Sequence, residues 1–331
     1  MKPNVLLVIP CETKEPRGNS TTALRIKESI SKKGYSVEII NSKHLSKHTK
    51  SYDVVVAIHA IKSGIETLEW TISKKIPYIV LFSGTDLNGK PSAKTKRVIK
   101  KASQCVSLSS ASMRRAKDIF PECRKKIRTI LQAVQPLPNN SLEVPEEIAQ
   151  GKQNNKKIIL VPNGIRKIKN NCNTIKNLDA LLKEKPDTLV FFAGYDFGGS
   201  YSEEFHHEIT QRPWAFYLGA LNPCQFGSTI KSSHLVLSAS HHEGGAPNSL
   251  LEAINLEIPV LASDIPQHRE LLSKKNCFST PKEMRKKIKV IFKEESQSLI
   301  EMRKLASETR FKHSLSKEAT AWDRMLSQYK N

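Results

Sequence analysis

The chain has 331 residues, about twice the size of a common single domain, so two domains are expected. A hydrophobic fraction of 38% supports a globular core and excludes a disordered chain. The longest apolar runs, such as Val5–Pro10 and Ile76–Phe82, are too short to span a bilayer. Six scattered cysteines are typical of reduced thiols, and no secretory signal is recognisable, so we expect a cytoplasmic protein.

The net charge of +21 is the unusual bulk property, with 53 basic against 32 acidic residues. The excess is densest in the region Lys90–Arg128, where thirteen basic residues face only Asp118 and Glu122. Such a region attracts phosphates, nucleic acid or acidic lipid headgroups, and it also fits an ordinary solvated surface.

The first half alternates short apolar strands with helical stretches. Asn4–Ile9 predicts a buried parallel strand, and Thr21–Lys33 predicts the helix that follows it. Further strands are expected at Ser36–Ile40, Val54–Ile58, Tyr78–Phe82, Cys105–Leu108 and Thr129–Leu131. Helices are expected between them at Ile65–Lys75, Ala93–Ala102 and Ser110–Ile119. This alternation indicates a parallel sheet that is covered on both faces.

A connection rich in Pro, Asn and Gln between Gln135 and Lys157 separates the two halves. Alternation then restarts with the strand Lys157–Val161, and Pro281–Thr309 predicts one long helical stretch. We therefore predict an α/β protein of two doubly wound, Rossmann-like domains, at residues 1–148 and 149–315, with a cleft between them. Residues 316–331 predict a C-terminal helix that could pack back on the first domain.

Ser238–Asp264 is the segment richest in chemistry. A predicted strand ends at Ser238, Gly244 and Gly245 form a turn, and a helix follows. Backbone N–H groups of a helix start, together with glycines, suit a diphosphate or a sugar. Glu252, one turn into the helix, could accept hydrogen bonds from ribose hydroxyls, and Glu243 could do so for a hexose.

This segment resembles the donor-site signature of the group-1, family-4 glycosyltransferases, in particular the small glycosyltransferase-1-domain-containing proteins and selenosugar synthase-like enzymes. The matching positions are Ser240, Glu243, Gly244, Glu252, Ala253, Pro259 and Val260. Four further stretches resemble family motifs in the same order: Arg17–Ser20, Leu81–Asn88, Gly164–Lys169 and Leu218-Gly219.

The resemblance implies a GT-B fold and transfer of a sugar, hexosyl or related, from a nucleotide sugar, expected to be a UDP-sugar, to an unidentified acceptor. No cofactor or catalytic metal is expected, because basic side chains neutralise the leaving diphosphate. Arg166 and Lys169 resemble the family's basic pair for that diphosphate, and an arginine can grip phosphate oxygens bidentately. The expected donor-binding residues are Gly18, Asn19, Gly164, Gly219, Gly244, Gly245, Ala246, Asn248, Ser249 and Glu252.

The acceptor side is expected at strand ends of the first domain. His59 follows the strand Val54–Ile58 and could orient or deprotonate an acceptor, because its pKa lies near neutral pH. With Arg166, Lys169 and Glu243 it completes the expected catalytic set. Gly84, Thr85 and Asp86 follow another strand, where Asp86 could accept from a sugar hydroxyl or cap the next turn.

Two other functions stay open. One is a sugar-nucleotide epimerase on the same fold, and the other is a basic protein that binds nucleic acid or anionic membranes through Lys90–Arg128. This region contains a single aromatic residue, Phe120, so stacking platforms are lacking and no nucleic-acid partner is expected. Its predicted helix has a modest apolar face, so we expect at most weak association with anionic membranes. The adjacent pairs His206-His207 and His241-His242 lack metal-site spacing, and no metal is expected.

Overall fold

A computed structural model of the chain describes residues 2–15, 17–138 and 143–329. Asn139 and Asn140 of the predicted connection lie outside these residues. The described chain forms two compact units. Unit 1 contains Met1–Ala133, Glu243–Ala246 and Lys312–Asn331, and unit 2 contains Val134–His242 and Pro247–Phe311.

Unit 1 is built on a six-stranded parallel sheet of order β2-β1-β3-β4-β5-β6. Its strands are β1 (Asn4–Ile9), β2 (Ser36–Asn41), β3 (Val54–Ile58), β4 (Tyr78–Phe82), β5 (Gln104–Ser107) and β6 (Ile127–Thr129). Its helices are α1 (Gly18–Ser31), α2 (Gly64–Lys74), α3 (Ala93–Lys101), α4 (Ser110–Ile119) and α13 (Leu315–Leu326).

Alternating side chains of the unit 1 strands enter two separate cores. Leu7 and Val56 face one core with α1 and α13, whereas Leu6 and Val55 face the other with helices that include α3. Because β1, β3 and β4 are buried on both faces, they appear in the sequence as continuous apolar runs.

Unit 2 repeats this plan with a parallel sheet of order β12-β11-β10-β7-β8-β9. Its strands are β7 (Lys157–Pro162), β8 (Thr188–Ala193), β9 (Ala215–Tyr217), β10 (Leu235–Ser238), β11 (Val260–Ser263) and β12 (Cys277–Phe278). Its helices are α5 (Glu146–Gln153), α6 (Asn171–Glu184), α7 (Ser200–Thr210), α8 (Pro223–Ser232), α9 (Asn248–Asn255), α10 (Pro266–Arg269), α11 (Pro281–Lys293) and α12 (Glu295–Lys312). The two sheets and their flanking helices confirm the expected α/β class.

Several elements differ from those expected. The predicted long helix is divided into α11 and α12 at Glu294, whose φ of −109° and ψ of 48° leave the helical region. No Pro or Gly marks this break in the sequence. The boundary expected after residue 148 falls within α5, whose Ile148 is fully buried. Helix α7 was not expected from the sequence.

The C-terminal helix α13 packs on α1 within unit 1. Trp322 is fully buried in the core that α1 covers. Helix α13 also carries Glu318, which pairs with Arg25 of α1: Arg25 Nε donates to Glu318 Oε2 at 2.9 Å, and Arg25 Nη2 donates to Glu318 Oε1 at 3.2 Å. Both side chains have an exposed fraction of at most 1%. Two charges removed from water must neutralise each other, so this pair fixes how α13 sits on α1.

His313, just before α13, is a second buried polar group of unit 1. Its Nδ1 lies 2.7 Å from the Gln132 carbonyl oxygen, which requires a proton on Nδ1. Burial lowers the pKa of His313, because the charged imidazolium would lose its hydration. The folded chain therefore holds the neutral imidazole.

We expect Glu318→Ala to lower the free energy of unfolding by about 3–5 kcal/mol, because it removes the carboxylate that pairs with the buried Arg25 guanidinium. Urea unfolding followed by circular dichroism measures the loss. Glu28→Ala is the matched control, because it removes an exposed ion pair between Glu28 of α1 and Lys32. It should change the free energy of unfolding little. Equal effects of the two substitutions would contradict a fixing role for the buried pair.

The lowered pKa of His313 predicts a stability that falls with acid. The unfolded chain takes up the proton as the pH drops below about 6.5, whereas the folded chain takes it up only at lower pH, so unfolding is favoured in that interval. His313→Gln should make the free energy of unfolding less dependent on pH between 7.5 and 5.5. His207→Gln, at an exposed position on α7, should leave the dependence as it is. Parallel curves for His313→Gln and the wild type would refute the prediction.

Candidate functional site

Four neighbouring strands of unit 2 end in the loops that carry most of the expected donor-binding residues. In sheet order these strands are β10, β7, β8 and β9. Arg166 and Lys169 follow β7, Gly219 follows β9, and the segment leading to α9 follows β10. The carboxyl ends of parallel strands lie at one edge of the sheet, where α/β proteins bind ligands.

Backbone hydrogen bonds join these loops in sequence across the sheet edge. Gly194 N donates to Gly219 O at 2.8 Å, and Ile165 N donates to Tyr195 O at 2.9 Å. On the other side, His241 N donates to Ile168 O at 2.9 Å. The four strand ends therefore form one connected surface whose shape depends on main-chain atoms.

Arg166 and Lys169 lie half-buried on a tight loop between β7 and α6. Lys167–Lys169 form a single 3-10 turn, and Asn170 adopts a left-handed φ of 61° before α6 begins. The Arg166 amide donates to Asn171 Oδ1 at 3.3 Å, and the Lys169 amide donates to Arg166 O at 2.8 Å. Both cations thus sit near the positive end of a 14-residue helix, which favours an anion.

Gly164 and Gly219 are each required to be glycine, for different structural reasons. A Cβ at Gly164 would lie 2.8 Å from Phe197 Cε2 and 3.0 Å from the Tyr195 carbonyl oxygen, so a side chain does not fit. Gly219 has a φ of 71°, a conformation that favours glycine. Both glycines are needed for the loop geometry itself.

Helix α9 begins at Asn248, directly after Pro247, and brings Asn248 and Ser249 into its first turn. Glu252 lies one turn further and is only 8% exposed. Ser240, before this helix, is fully buried, and its carbonyl oxygen accepts from Ser263 Oγ at 2.5 Å. The polar groups of this signature are therefore mostly below the surface.

His59 of unit 1 follows β3 with a φ of 84°, a strained conformation for a residue with a side chain. Its Nδ1 accepts from the amides of Ile61 and Lys62, at 3.3 and 3.1 Å. Nδ1 is therefore unprotonated, and the proton lies on Nε2, which is 3.0 Å from Thr85 Oγ1. The imidazole binds its own loop through Nδ1 and Thr85 through Nε2.

Asp86 is 2% exposed and binds backbone amides through both carboxylate oxygens. Oδ1 accepts from Gly84 N at 2.9 Å, and Oδ2 accepts from Ala60 N at 2.9 Å and Ser83 N at 3.3 Å. This geometry is that of a group that holds the loop after β4 against the loop after β3.

The remaining expected residues of unit 1 lie in the first turn of α1, in the loop after β4 and in the segment Glu243–Ala246. Gly18 and Asn19 form the first turn of α1. The Gly244 carbonyl oxygen accepts from Ser112 Oγ at 2.6 Å, and a Cβ at Gly244 would overlap the backbone of Gly84. Glu243, Gly245 and Ala246 share this segment, in which Glu243 is 9% exposed.

The loop after β8 carries residues that were not predicted from the sequence as part of the site. Arg166 Cζ lies 4.6 Å from the centroid of the Phe197 ring, and Tyr195 meets Phe197 edge-on with centroids 5.0 Å apart. The signal was present as two aromatic residues in a glycine-flanked run after a strand. Ser112 was also missed, because nothing in the sequence relates it to Gly244.

Among residues 2–15, 17–138 and 143–329, no cluster of three or more His, Cys, Asp or Glu side chains could hold a metal ion. No helix in the same ranges has the length and apolarity that crossing a membrane requires.

The amino-acid sequence matches a known protein family and a related protein of known family. The family model for glycosyl transferases group 1 matches residues 145–312. The glycosyltransferase 1 domain-containing protein 1 of Xenopus tropicalis is 22% identical over 285 residues, which cover 80% of this chain and 81% of that protein.

Solved structures share the fold over the whole chain. Alr3699/HepE of Anabaena, solved in complex with UDP and glucose, superposes with a TM-score of 0.79 at 15% identity, covering 98% of this chain and 100% of that one. A glycosyltransferase from Rickettsia africae gives a TM-score of 0.74 at 15% identity, covering 99% and 98%. These structures confirm the GT-B fold, and the match to the family model shows that the chain belongs to the group 1 glycosyl transferases and is a glycosyltransferase.

Proposed function

We propose that the chain transfers a sugar, hexosyl or related, from a UDP-sugar to an acceptor, and that the diphosphate of the donor binds at Arg166 and Lys169. The connected loops at the ends of β10, β7, β8 and β9 carry this proposal. They bring two cations and the start of α6 to the sheet edge where α/β proteins bind ligands.

The preference for a uridine nucleotide rests on relatives of the same fold. HepE of Anabaena was solved with UDP and glucose and also with UDP-glucose. At 14–15% identity these complexes describe HepE, and here they support the choice of the first nucleotide to test.

The chemistry proposed for Arg166 and Lys169 is charge neutralisation. As the bond between the sugar and the diphosphate breaks, negative charge grows on the leaving phosphate. A guanidinium binds two phosphate oxygens in one plane, and an ammonium adds a point charge. Cations placed where charge develops stabilise the transition state, and no cofactor enters this proposal. Glu252 is proposed to bind the ribose and Glu243 the sugar.

For unit 1 we propose that His59 orients the acceptor-side loop. Its Nδ1 lone pair is occupied by two amides, which supports orientation over proton abstraction. Its Nε2 proton points to Thr85 Oγ1, so the Thr85 hydroxyl is the group that can donate onward to an acceptor oxygen. The three amides at Asp86 likewise support a loop-capping role over a contact with the sugar.

A second proposal concerns the exposed face of α3. Lys94, Lys96, Arg97, Lys100 and Lys101 are all exposed, and none of the five forms an ion pair within the described part of the chain. Val98 and Ile99 are fully buried, so the helix offers charge but no apolar face for insertion. We propose a weak, purely electrostatic association with anionic membranes.

We also propose a cytoplasmic location. All six cysteines are free thiols, which is typical of reducing compartments.

Binding of UDP tests the main proposal. A ligand at 100 times its Kd should stabilise the wild type by about 2.7 kcal/mol and raise its melting temperature. Arg166→Ala should weaken UDP about tenfold or more, because hydrogen bonds to a charged group are lost. Lys167→Ala, on the same turn but exposed, is the matched control and should keep the shift. Equal shifts for Arg166→Ala and the wild type would refute the diphosphate site.

A second measurement separates sugar transfer from epimerisation. Release of UDP only when an acceptor is added would indicate transfer.

The membrane proposal is tested by sedimentation with vesicles. The wild type should bind vesicles containing phosphatidylglycerol at low salt and be released at about 0.5 M salt, where charges are screened within a few ångströms. Lys96→Glu/Lys100→Glu should weaken binding about tenfold or more. Lys282→Glu/Lys286→Glu makes the same charge change at exposed positions of α11 and should have the smaller effect. Equal effects, tight binding to neutral vesicles, or capture of RNA at the same salt would each contradict it.

A further inference from the structure

Phe197 presents an unusual combination of exposure and contact. Its side chain is 39% exposed, although phenylalanine is mostly buried in folded proteins. Its ring carries the Arg166 guanidinium at 4.6 Å from the centroid, within the range of a cation–π interaction. The exposed Phe197 ring therefore contacts Arg166, the residue that is proposed to bind the donor diphosphate.

The backbone before the ring is held by Asp196, which binds its own loop and two side chains of α7. Asp196 accepts from Gly198 N at 2.8 Å and from Ser202 Oγ, and its Oδ2 lies 2.8 Å from His206 Nε2. Burial raises the pKa of Asp196, but these hydrogen bonds outweigh burial, and the pKa lies below its ordinary value. The carboxylate consequently stays ionised at neutral pH and keeps the loop anchored.

The same loop is also fixed to the one that carries Arg166. Ile165 N donates to Tyr195 O at 2.9 Å, and Ile165 pairs with Asp196 in a short parallel bridge. Phe197 fills the space over Gly164, where any side chain would collide with it. The position of the ring relative to β7 is thus set by main-chain contacts that do not involve the guanidinium.

Stacking on a ring leaves the guanidinium donors available in a defined direction. All five N–H groups lie in the guanidinium plane, so a ring on its face leaves the edges for an anion. A long arginine side chain otherwise loses rotamer freedom when it binds a ligand, and a preformed orientation avoids part of that loss.

We propose that Phe197 is a positioning residue that holds Arg166 in the orientation in which it binds the donor diphosphate. The inference rests on the proposed function, because it takes Arg166 to be the diphosphate ligand. It assigns to the loop after β8 a role in affinity for the phosphates and none in recognition of the base.

The experiment is a double-mutant cycle read by calorimetric titration of UDP, inorganic pyrophosphate and uridine. Phe197→Leu should weaken UDP and pyrophosphate about two- to fivefold, the size of an exposed cation–π contact, and leave any uridine binding unchanged. Phe197→Tyr keeps an aromatic ring and should restore wild-type affinity. In an Arg166→Ala background, Phe197→Leu should have no further effect.

Controls separate this contact from general damage to the fold. Phe311→Leu, at a ring that is 74% exposed on α12, should change neither affinity nor melting temperature. If Phe197→Leu lowers the melting temperature markedly, Phe197→Met replaces it as a flexible side chain of similar size.

The outcomes test the positioning role of Phe197 and the diphosphate site at Arg166 separately. If UDP binds, Arg166→Ala weakens it and Phe197→Leu does not, the positioning role is wrong and the proposed function stands. An equal loss from Phe197→Leu with and without Arg166 means that the ring touches the ligand directly, which also overturns the positioning role. If Arg166→Ala leaves UDP binding unchanged, the diphosphate site itself is wrong.

Discussion

The main-chain hydrogen bonds between strand-end loops are the constraint on which the proposed donor site depends. Each links a loop to its neighbour in the sheet, from Gly219 through Gly194, Tyr195 and Ile165, and separately from Ile168 to His241. Main-chain groups are present whatever the side chain, so the surface keeps its shape while its side chains are available for specificity. Arg166 is the clearest example, since its amide and carbonyl hold the loop and its guanidinium lies over Phe197.

In unit 1 the strand-end loops are joined by side chains as well as by main-chain hydrogen bonds. Its loops after β3 and β4 are tied together by side chains, namely the Asp86 carboxylate and the His59 imidazole. A polar residue at a strand end is then part of the scaffold, and substituting it would disturb the loop before any chemistry. The sequence places His59 in the expected catalytic set and Asp86 on the acceptor side, and in the fold both side chains bind atoms of these loops.

The fold class and the family were predictable because they depend on repeated patterns. Continuous apolar runs such as Asn4–Ile9 report burial on both faces, and the ordered motifs around Arg166 and Glu252 report the family. The break at Glu294 was not predictable, because no Pro or Gly there opposes a continuous helix. Nor was the stacking of Phe197 under Arg166, which needs two loops that are 31 positions apart to be paired by the sheet. The site roles assigned to the individual residues stay predictions.

The pair of Arg25 and Glu318 also bears on how the chain reaches its folded state. The two residues are separated by 293 positions, so the buried cation of unit 1 is paired only when two distant parts of the chain come together. Domains commonly fold in order as the chain emerges, but a core that lacks Glu318 and Trp322 leaves a charge and an apolar groove exposed. The core of unit 1 is therefore complete only when α13 has docked on it, and truncation before Glu318 would remove both the counter-charge and the Trp322 side chain.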